Sequence, residues 1–380
     1  MSLKEIFCQD KAISVLQRGF AADKMPHAYI FAGAEGVGKF KTAREWAKLL
    51  LCKNPITENG FADSCGVCQS CLMFEAGAHP DFNHIYKELL EFTKPENKEK
   101  KTPVDLAIDV IRVFLIDKVS TKPTLSQRKV YIISEAERLN TSSQNAMLKV
   151  LEEPPDYCTI ILLCTRMEKL LPTTKSRCRM IHFSLIDQER IIDKLKTMGL
   201  DAKKAQYFAH LAQGSLGQGC RWAQLELAGA NLYQIKKELL NWLSTYKLAE
   251  CLDFAEWLLE KGKKIADVWG ELNEARFASE ARHATSKTDI NRKAQKTLIQ
   301  IIISALYDAM KMNIAGPQNI TNSDQKEQIK SIANHLSSEQ SAGKIADAYK
   351  TMHWIESSVN EKLIFEQLLL NLVVSDTIKV

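Results

Sequence analysis

Ala28-Tyr29-Ile30-Phe31-Ala32-Gly33-Ala34-Glu35-Gly36-Val37-Gly38-Lys39-Phe40 is a short β-prone run that ends on a glycine-rich loop. The spacing from Gly33 to Lys39 is GxxxxGK, set between a strand and a helix expected to begin near Lys41. Glycines at Gly33, Gly36 and Gly38 let the backbone fold tightly, so its N–H groups and the helix N-terminus point at phosphate oxygens. Lys39 then reaches the β- and γ-phosphates. The bland alternative is a glycine-rich turn that binds nothing. Strand, phosphate loop and helix in that order predict a parallel α/β sheet.

Outward from this stretch, residues 82–86, 129–133, 159–164 and 180–183 read as further strands. Val130-Tyr131-Ile132-Ile133 and Ile160-Ile161-Leu162-Leu163 are apolar on both faces, as central strands covered by helices are. Between them the pattern predicts a helix capped by Thr141 with Gln144 three residues on, and stopped by Pro154-Pro155. Residues 87–103 are a charged insertion, of which 94–101 have no apolar residue except proline and read as a solvated loop. After residue 183 helical spacing takes over. Residues 187–228 predict a small helical domain with breaks at Gly214, Gly217 and Gly219, and 232–380 are helical, with apolar segments near 239–248, 298–312 and 363–374. The outline is three domains: 1–183 α/β, 184–230 helical, 231–380 helical.

The chain has 380 residues, 45% hydrophobic and 26% charged, with a net charge of +5, which argues against global disorder. So mild an excess of positive charge permits nucleic-acid contact without predicting it. No stretch approaches the roughly 18 uninterrupted apolar residues of a membrane helix. Met1-Ser2-Leu3-Lys4-Glu5 lacks the apolar core of a signal peptide. A cytoplasmic setting with reduced thiols is the expectation, so the ten cysteines call for a reason other than disulfides.

Four of them supply one. Cys65-Gly66-Val67-Cys68-Gln69-Ser70-Cys71 has two x₂ spacings in succession, with Cys52 upstream and turn formers Asn54-Pro55 and Asn59-Gly60 between. Four thiolates match a closed structural zinc site with no position left for water. Scattered reduced thiols and an iron–sulfur cluster are the other readings of the same residues. His79 and His84 lie nearby but are not needed as ligands. Cys8, Cys158, Cys164, Cys178, Cys220 and Cys251 lack ligand spacing and are expected to pack as small hydrophobes.

The phosphate loop has a missing part. After the lysine a Ser or Thr hydroxyl should ligate Mg²⁺, and Phe40 stands there. Thr42, two positions further along the helix, faces elsewhere. An apolar strand ending in Asp-Glu would normally hold the same ion, whereas this chain has Ile132-Ile133-Ser134-Glu135, with Glu135 alone surviving. Both changes fall on one ion, so the expectation is a loop that does not hydrolyse ATP, with nucleotide binding left open.

Pro26-His27-Ala28-Tyr29-Ile30-Phe31-Ala32-Gly33, the cysteine module, Asn145-Ala146-Met147-Leu148-Lys149-Val150-Leu151-Glu152-Glu153-Pro154-Pro155 and Ser176-Arg177-Cys178 occur in one order across roughly residues 1–183. In that order they resemble the bacterial clamp-loader subunits of the AAA+ class. The resemblance implies a P-loop parallel-sheet domain with an inserted zinc module (about 52–71), a small helical lid and an all-α collar. In that family the ATPase subunits, gamma and tau, keep an intact loop, an Asp-Glu pair and a sensing arginine on a lid helix. Here Phe40 and Ser134 depart from that pattern, Gly214-Ser215-Leu216-Gly217 has glycine at the arginine position, and Arg221 does not align with it. The chain is therefore similar to the delta-prime kind, a stator that does not hydrolyse ATP.

By the same resemblance Arg177, within Ser176-Arg177-Cys178, projects across a subunit boundary toward the γ-phosphate held by a neighbouring ATPase subunit. The implied partners are gamma or tau, the delta subunit, the sliding clamp and, through the complex, primer–template DNA; no membrane is implied. The rivals are an ATP-hydrolysing motor subunit of the gamma or tau kind and a free-standing zinc-containing nucleotide-binding protein outside replication. The bland reading of an isolated arginine, a surface salt bridge, stands beside the finger.

Overall fold

The computed structural model describes residues 2–93, 103–245, 247–277, 286–316, 318, 320–356 and 360–373. They divide into two compact units: residues 1–186 with Ser215–Gly217, and residues 187–214 with the described residues from 218 on.

The first unit is built on β1 (Ala28–Ala32), the hairpin β2 (Ile56–Glu58) and β3 (Phe61–Asp63), β4 (Phe82–Ile85), β5 (Lys129–Ile133), β6 (Cys158–Cys164) and β7 (Arg179–His182). Five of these form a parallel sheet in the order β4-β5-β6-β1-β7, and β2 pairs only with β3. Period-2 alternation sends neighbouring side chains of one strand to opposite faces, and each face has its own core. Tyr29, Phe31, Ile132, Ile161 and Leu163 pack with α1 (Asp10–Ala21) and α2 (Lys39–Leu51). Ile30, Tyr131, Ile133, Ile160 and Leu162 pack with Val110, Leu115, Met147 and Leu151 on the other side. The helices there are α4 (Ile108–Ile111), a π turn to Ile116, α5 (Asp117–Val119) and α6 (Thr141–Glu152); α3 (Gln69–Glu75) follows the hairpin, and α7 (Pro172–Ser176) precedes β7.

Several boundaries move. The cap of α6 is Asn140, whose Oδ1 accepts from the Ser143 N–H at 2.8 Å; Thr141 is already helical. Gln144 leaves the cap altogether. Its amide donates to Leu139 O and Lys169 O and accepts from Leu171 N–H. Helix α2 starts at Lys39, on Gly38 in a left-handed conformation (φ 103°). Of the 87–103 insertion, Lys87–Phe92 is a 3-10 turn with Lys87 and Leu89 buried. The charged run 94–101 lies outside the described residues.

The second unit is helical: α8 (Gln188–Thr197), α9 (Ala202–Ala212), α10 (Leu216–Leu225, whose first two residues belong to the first unit), α11 (Leu232–Thr245), α12 (Cys251–Phe277), α13 (Lys287–Ala315), α14 (Lys326–His335), α15 (Ser338–Trp354) and α16 (Glu361–Val373). Gly214 follows the end of α9, but Gly217 and Gly219 are not breaks and lie inside α10. A Cβ on Gly219 would come 3.3 Å from Ile191 and 3.5 Å from Ala212, so the missing side chain lets helices close on each other. Helix α13 is long and apolar enough to cross a membrane, with a window of mean hydropathy 1.3. Of that window 56% is buried, and Leu298, Ile299, Ile302 and Ala305 are core residues of the helical unit.

One ion pair in this unit yields a test. The fully buried Lys236 is held by Asp324 and lies 4.9 Å and 5.1 Å from the Tyr207 and Tyr233 ring centres. Burial pulls the lysine below its ordinary range. For Asp324 burial pushes upward, but Lys236 and the Tyr233 hydroxyl outweigh it and hold the carboxyl low. Lys236→Met should cost about 3 kcal/mol in urea unfolding, because it strands a part-buried carboxylate. For a depressed carboxyl the stabilisation is present above the unfolded value of about 4 and is lost as pH falls through the folded one. The variant should therefore lose less stability than wild type between pH 5 and the acid transition, a difference of about one proton bound. Equal acid sensitivity would count against the pair.

Candidate functional site

The phosphate loop leaves β1 and turns into α2 with Gly36 and Gly38 at positive φ (76° and 103°), a region that favours glycine. Lys39 folds back over it, and its Nζ donates to Gly33 O and Ala34 O at 2.6 Å each. Burial pulls the Lys39 ammonium below its ordinary range, against the nearby carboxylates of Glu137 and Glu35. Loop, lysine and helix N-terminus suit a phosphate.

They do not suit a magnesium ion. Phe40 sits with its ring centre 4.8 Å from that of His84 on β4, and His84 Nε2 lies 2.8 Å from the Ser134 hydroxyl at the end of β5. The two positions that would carry the ion's hydroxyl and carboxylate ligands are thus joined by a phenyl, an imidazole and a hydroxyl. The surviving Glu135 (φ 51°) ion-pairs with Arg138 at 3.2 Å. Thr42 is fully buried and donates to Gly38 O at 3.1 Å. Glu137 binds the N–H and hydroxyl of Thr165 just past β6.

Residues Ser215–Gly217 close on the same loop. Ser215 Oγ donates to Glu35 O at 2.7 Å, and Gly217 N–H donates to Gly36 O at 2.8 Å. A Cβ on Gly217 would come 2.8 Å from Gly36 Cα, so no arginine fits there on this backbone. Arg221 is occupied elsewhere, its guanidinium 5.2 Å from the Trp269 ring centre.

Cys52 caps the far end of α2, about 20 Å from Lys39 at 1.5 Å per residue. The Sγ atoms of Cys52, Cys65, Cys68 and Cys71 all lie within 4.8 Å of one another, with Cys52–Cys65 at 3.5 Å, Cys52–Cys68 at 3.9 Å and Cys65–Cys71 at 4.0 Å. A tetrahedron of sulfurs at 2.3 Å from zinc has edges of about 3.8 Å, so the set fits that ion. Cys65 N–H and Cys68 N–H point at Cys52 Sγ and Cys65 Sγ, both at 3.4 Å. Burial pushes Cys52 and Cys71 up. Cys68 is pushed the same way by burial, but hydrogen bonds from the N–H groups of Cys71 and Lys53 and from the Cys65 and Cys71 thiols outweigh this and leave it at about 6.

The surrounding chain anchors this module. Gln17 exchanges two hydrogen bonds with the Ala62 backbone, and Leu3 N–H donates to Asp63. Ser70 and Ser126 hydroxyls both donate to Leu51 O. His79 is a satisfied core histidine: its Nδ1 accepts from Asp81 N–H and its Nε2 lies 2.9 Å from Ser70 Oγ.

Ser176 is the last residue of α7 and Arg177 caps it. The guanidinium is one-third exposed; it pairs with Glu152 at 2.6 Å and donates to Thr173 O at 3.0 Å and Ser176 Oγ at 3.4 Å. Burial pushes the neighbouring Cys178 thiol up to about 12, which makes it a packing residue at neutral pH. Two residues of these clusters were not singled out from sequence as site residues, His84 and Glu152. Their partners are 50 and 25 positions away, and only the fold joins them.

The family model for the DNA polymerase III delta subunit matches residues 8–187, and the one for the C-terminal part of that subunit matches residues 275–373. This chain belongs to the clamp-loader subunits of the bacterial gamma, tau and delta-prime family. The tau subunit of DNA polymerase III from Escherichia coli is 30% identical over 268 residues, 69% of this chain and 39% of the relative. The delta-prime subunit from Pseudomonas aeruginosa is 38% identical over 152 residues, 40% of this chain and 41% of that one. For the delta-prime subunit of Bacillus subtilis the figures are 27% over 233 residues, 60% of this chain and 64% of that one. The chain therefore spans less than two thirds of the length of each of these relatives. Among solved structures, a gamma-subunit-related protein of DNA polymerase III from Thermotoga maritima aligns over 94% of this chain and 97% of its own at 18% identity, with a TM-score of 0.44.

Proposed function

We propose that this chain is a delta-prime-like stator of the AAA+ clamp loader of DNA polymerase III. It does not hydrolyse ATP itself and supplies Arg177 to a neighbouring gamma or tau subunit. With the delta subunit the complex would open the sliding clamp and load it at primer–template DNA in the cytoplasm. Residues 184–230 would be its lid and 231–380 its collar in the hetero-oligomer. The cysteine set Cys52, Cys65, Cys68 and Cys71 would hold zinc for structure only.

The observation that carries the reading is the Phe40–His84–Ser134 contact at the magnesium position. Phosphoryl transfer from ATP needs that ion to neutralise developing charge, and a phenyl with a neutral hydroxyl supplies none of it. The Gly217 backbone contact, which leaves no room for an arginine, points the same way. Lys39 and its glycines favour keeping a nucleotide without turning it over.

The test is equilibrium ATP binding to the purified subunit with and without Mg²⁺, alongside hydrolysis. Equal affinity in both conditions and no turnover above background are expected. Turnover that disappears on Lys39→Ala would instead establish a motor subunit. A monomer that ignores gamma, tau and delta in co-purification would place the chain outside replication.

A further inference from the structure

We infer that Glu152 restrains Arg177, holding the finger charge-paired within its own subunit until the phosphates of a neighbour's nucleotide displace it. This rests on the proposed trans role of Arg177.

Among the described residues the guanidinium meets Glu152 Oε1 at 2.6 Å, Thr173 O at 3.0 Å and Ser176 Oγ at 3.4 Å. Glu152 is the last residue of α6, where the helix C-terminus already carries partial negative charge. A carboxylate is out of place there unless a cation answers it, and Arg177 does. A guanidinium paired in this way presents little net charge outward. The carboxylate beside it would also repel an approaching triphosphate, so the pair must open before the finger can act on the neighbour.

Exposure makes that exchange reversible. Arg177 is 33% exposed and Glu152 47%, which places the pair among water-accessible ion pairs of small net worth. A buried pair would lock the finger, whereas this one yields to a ligand of higher charge. Glu152 is thus a positioning residue, one that acts through Arg177.

The test uses the reconstituted complex with Glu152→Gln, which keeps the shape and removes the charge. ATP turnover without DNA should rise about two- to fivefold, the factor that corresponds to an exposed pair. The rise should fall on kcat more than on KM for ATP, because a finger acts on the transition state after nucleotide has bound. Glu152→Asp, which retains the charge, should stay near wild type. In an Arg177→Ala background Glu152→Gln should change nothing. An unchanged or lower turnover with Arg177 present, or the same rise without it, overturns the restraint. If Arg177→Ala alone has no effect, the trans role itself is removed. A melting curve of each isolated variant, expected to match wild type, separates these outcomes from misfolding.

Discussion

Arg177→Ala should lower ATP turnover at the neighbouring site of a reconstituted clamp loader by about 10³-fold or more, the range seen for fingers supplied in trans to other phosphoryl-transfer sites. The mechanism is electrostatic. Charge spreads over the oxygens of the transferred phosphoryl, and a guanidinium brought to it in a water-poor boundary stabilises that charge without reorganisation. Arg177 suits the task, since it stands at the end of a five-residue helix, α7, with its head one-third exposed and paired with the half-exposed Glu152. Removing it strands no buried group: Glu152 is about half exposed and returns to water, so folding and assembly should survive. Steady-state ATPase together with gel filtration of the complex checks both halves. A complex that forms normally and turns over ATP at the wild-type rate from every site would rule out the trans role. Loss of assembly would instead make Arg177 an interface anchor.

What the sequence disclosed, it disclosed through local pattern. Strands β1, β5 and β6 are apolar on both faces and bounded by turn residues, so their type was legible to within a residue or two. The cysteine set was legible because ligand spacing in a loop survives translation into three dimensions. The sequence pattern puts the cap of α6 at Thr141, one residue past Asn140, because both are good cap types and only backbone geometry chooses between them. Gly217 and Gly219 read as breaks in the sequence pattern but lie inside α10. Their lack of a side chain serves close approach to Gly36 and to Ile191 and Ala212, which one-dimensional spacing does not record. The Phe40–His84–Ser134 contact illustrates the general limit. The loss of Mg²⁺ ligands was visible at two positions, but the residue that joins them sits on a third strand with no motif around it.

Removing the metal should have the largest structural effect. Gently purified protein should carry about one zinc per chain, and Cys68→Ser or a strong chelator should release it and unfold the 52–71 module. In isolated zinc-finger peptides such sites contribute about 10–16 kcal/mol of apparent binding energy, but only part of that should appear here. The β2–β3 hairpin has just three residues per strand, too few to persist in water unaided. Its other anchors include the Lys4–Glu58 ion pair at 2.9 Å, Gln17 to Ala62 and Leu3 N–H to Asp63, while beside it the Ser70 and Ser126 hydroxyls hold Leu51 O. Those bonds tie the hairpin and α3 to the N-terminal turn, α1 and α2, but they do not order the thiolate loop between Asp63 and Gln69. Hydrogen exchange should therefore show protection lost across residues 52–71 and retained in β1, β5 and β6, whose cores contain no zinc ligand. ATP binding to the phosphate loop should survive, because the whole of α2 separates Lys39 from the metal. Exchange rates unchanged by chelation, in protein shown to be metal-free, would mean that the four thiols pack without an ion.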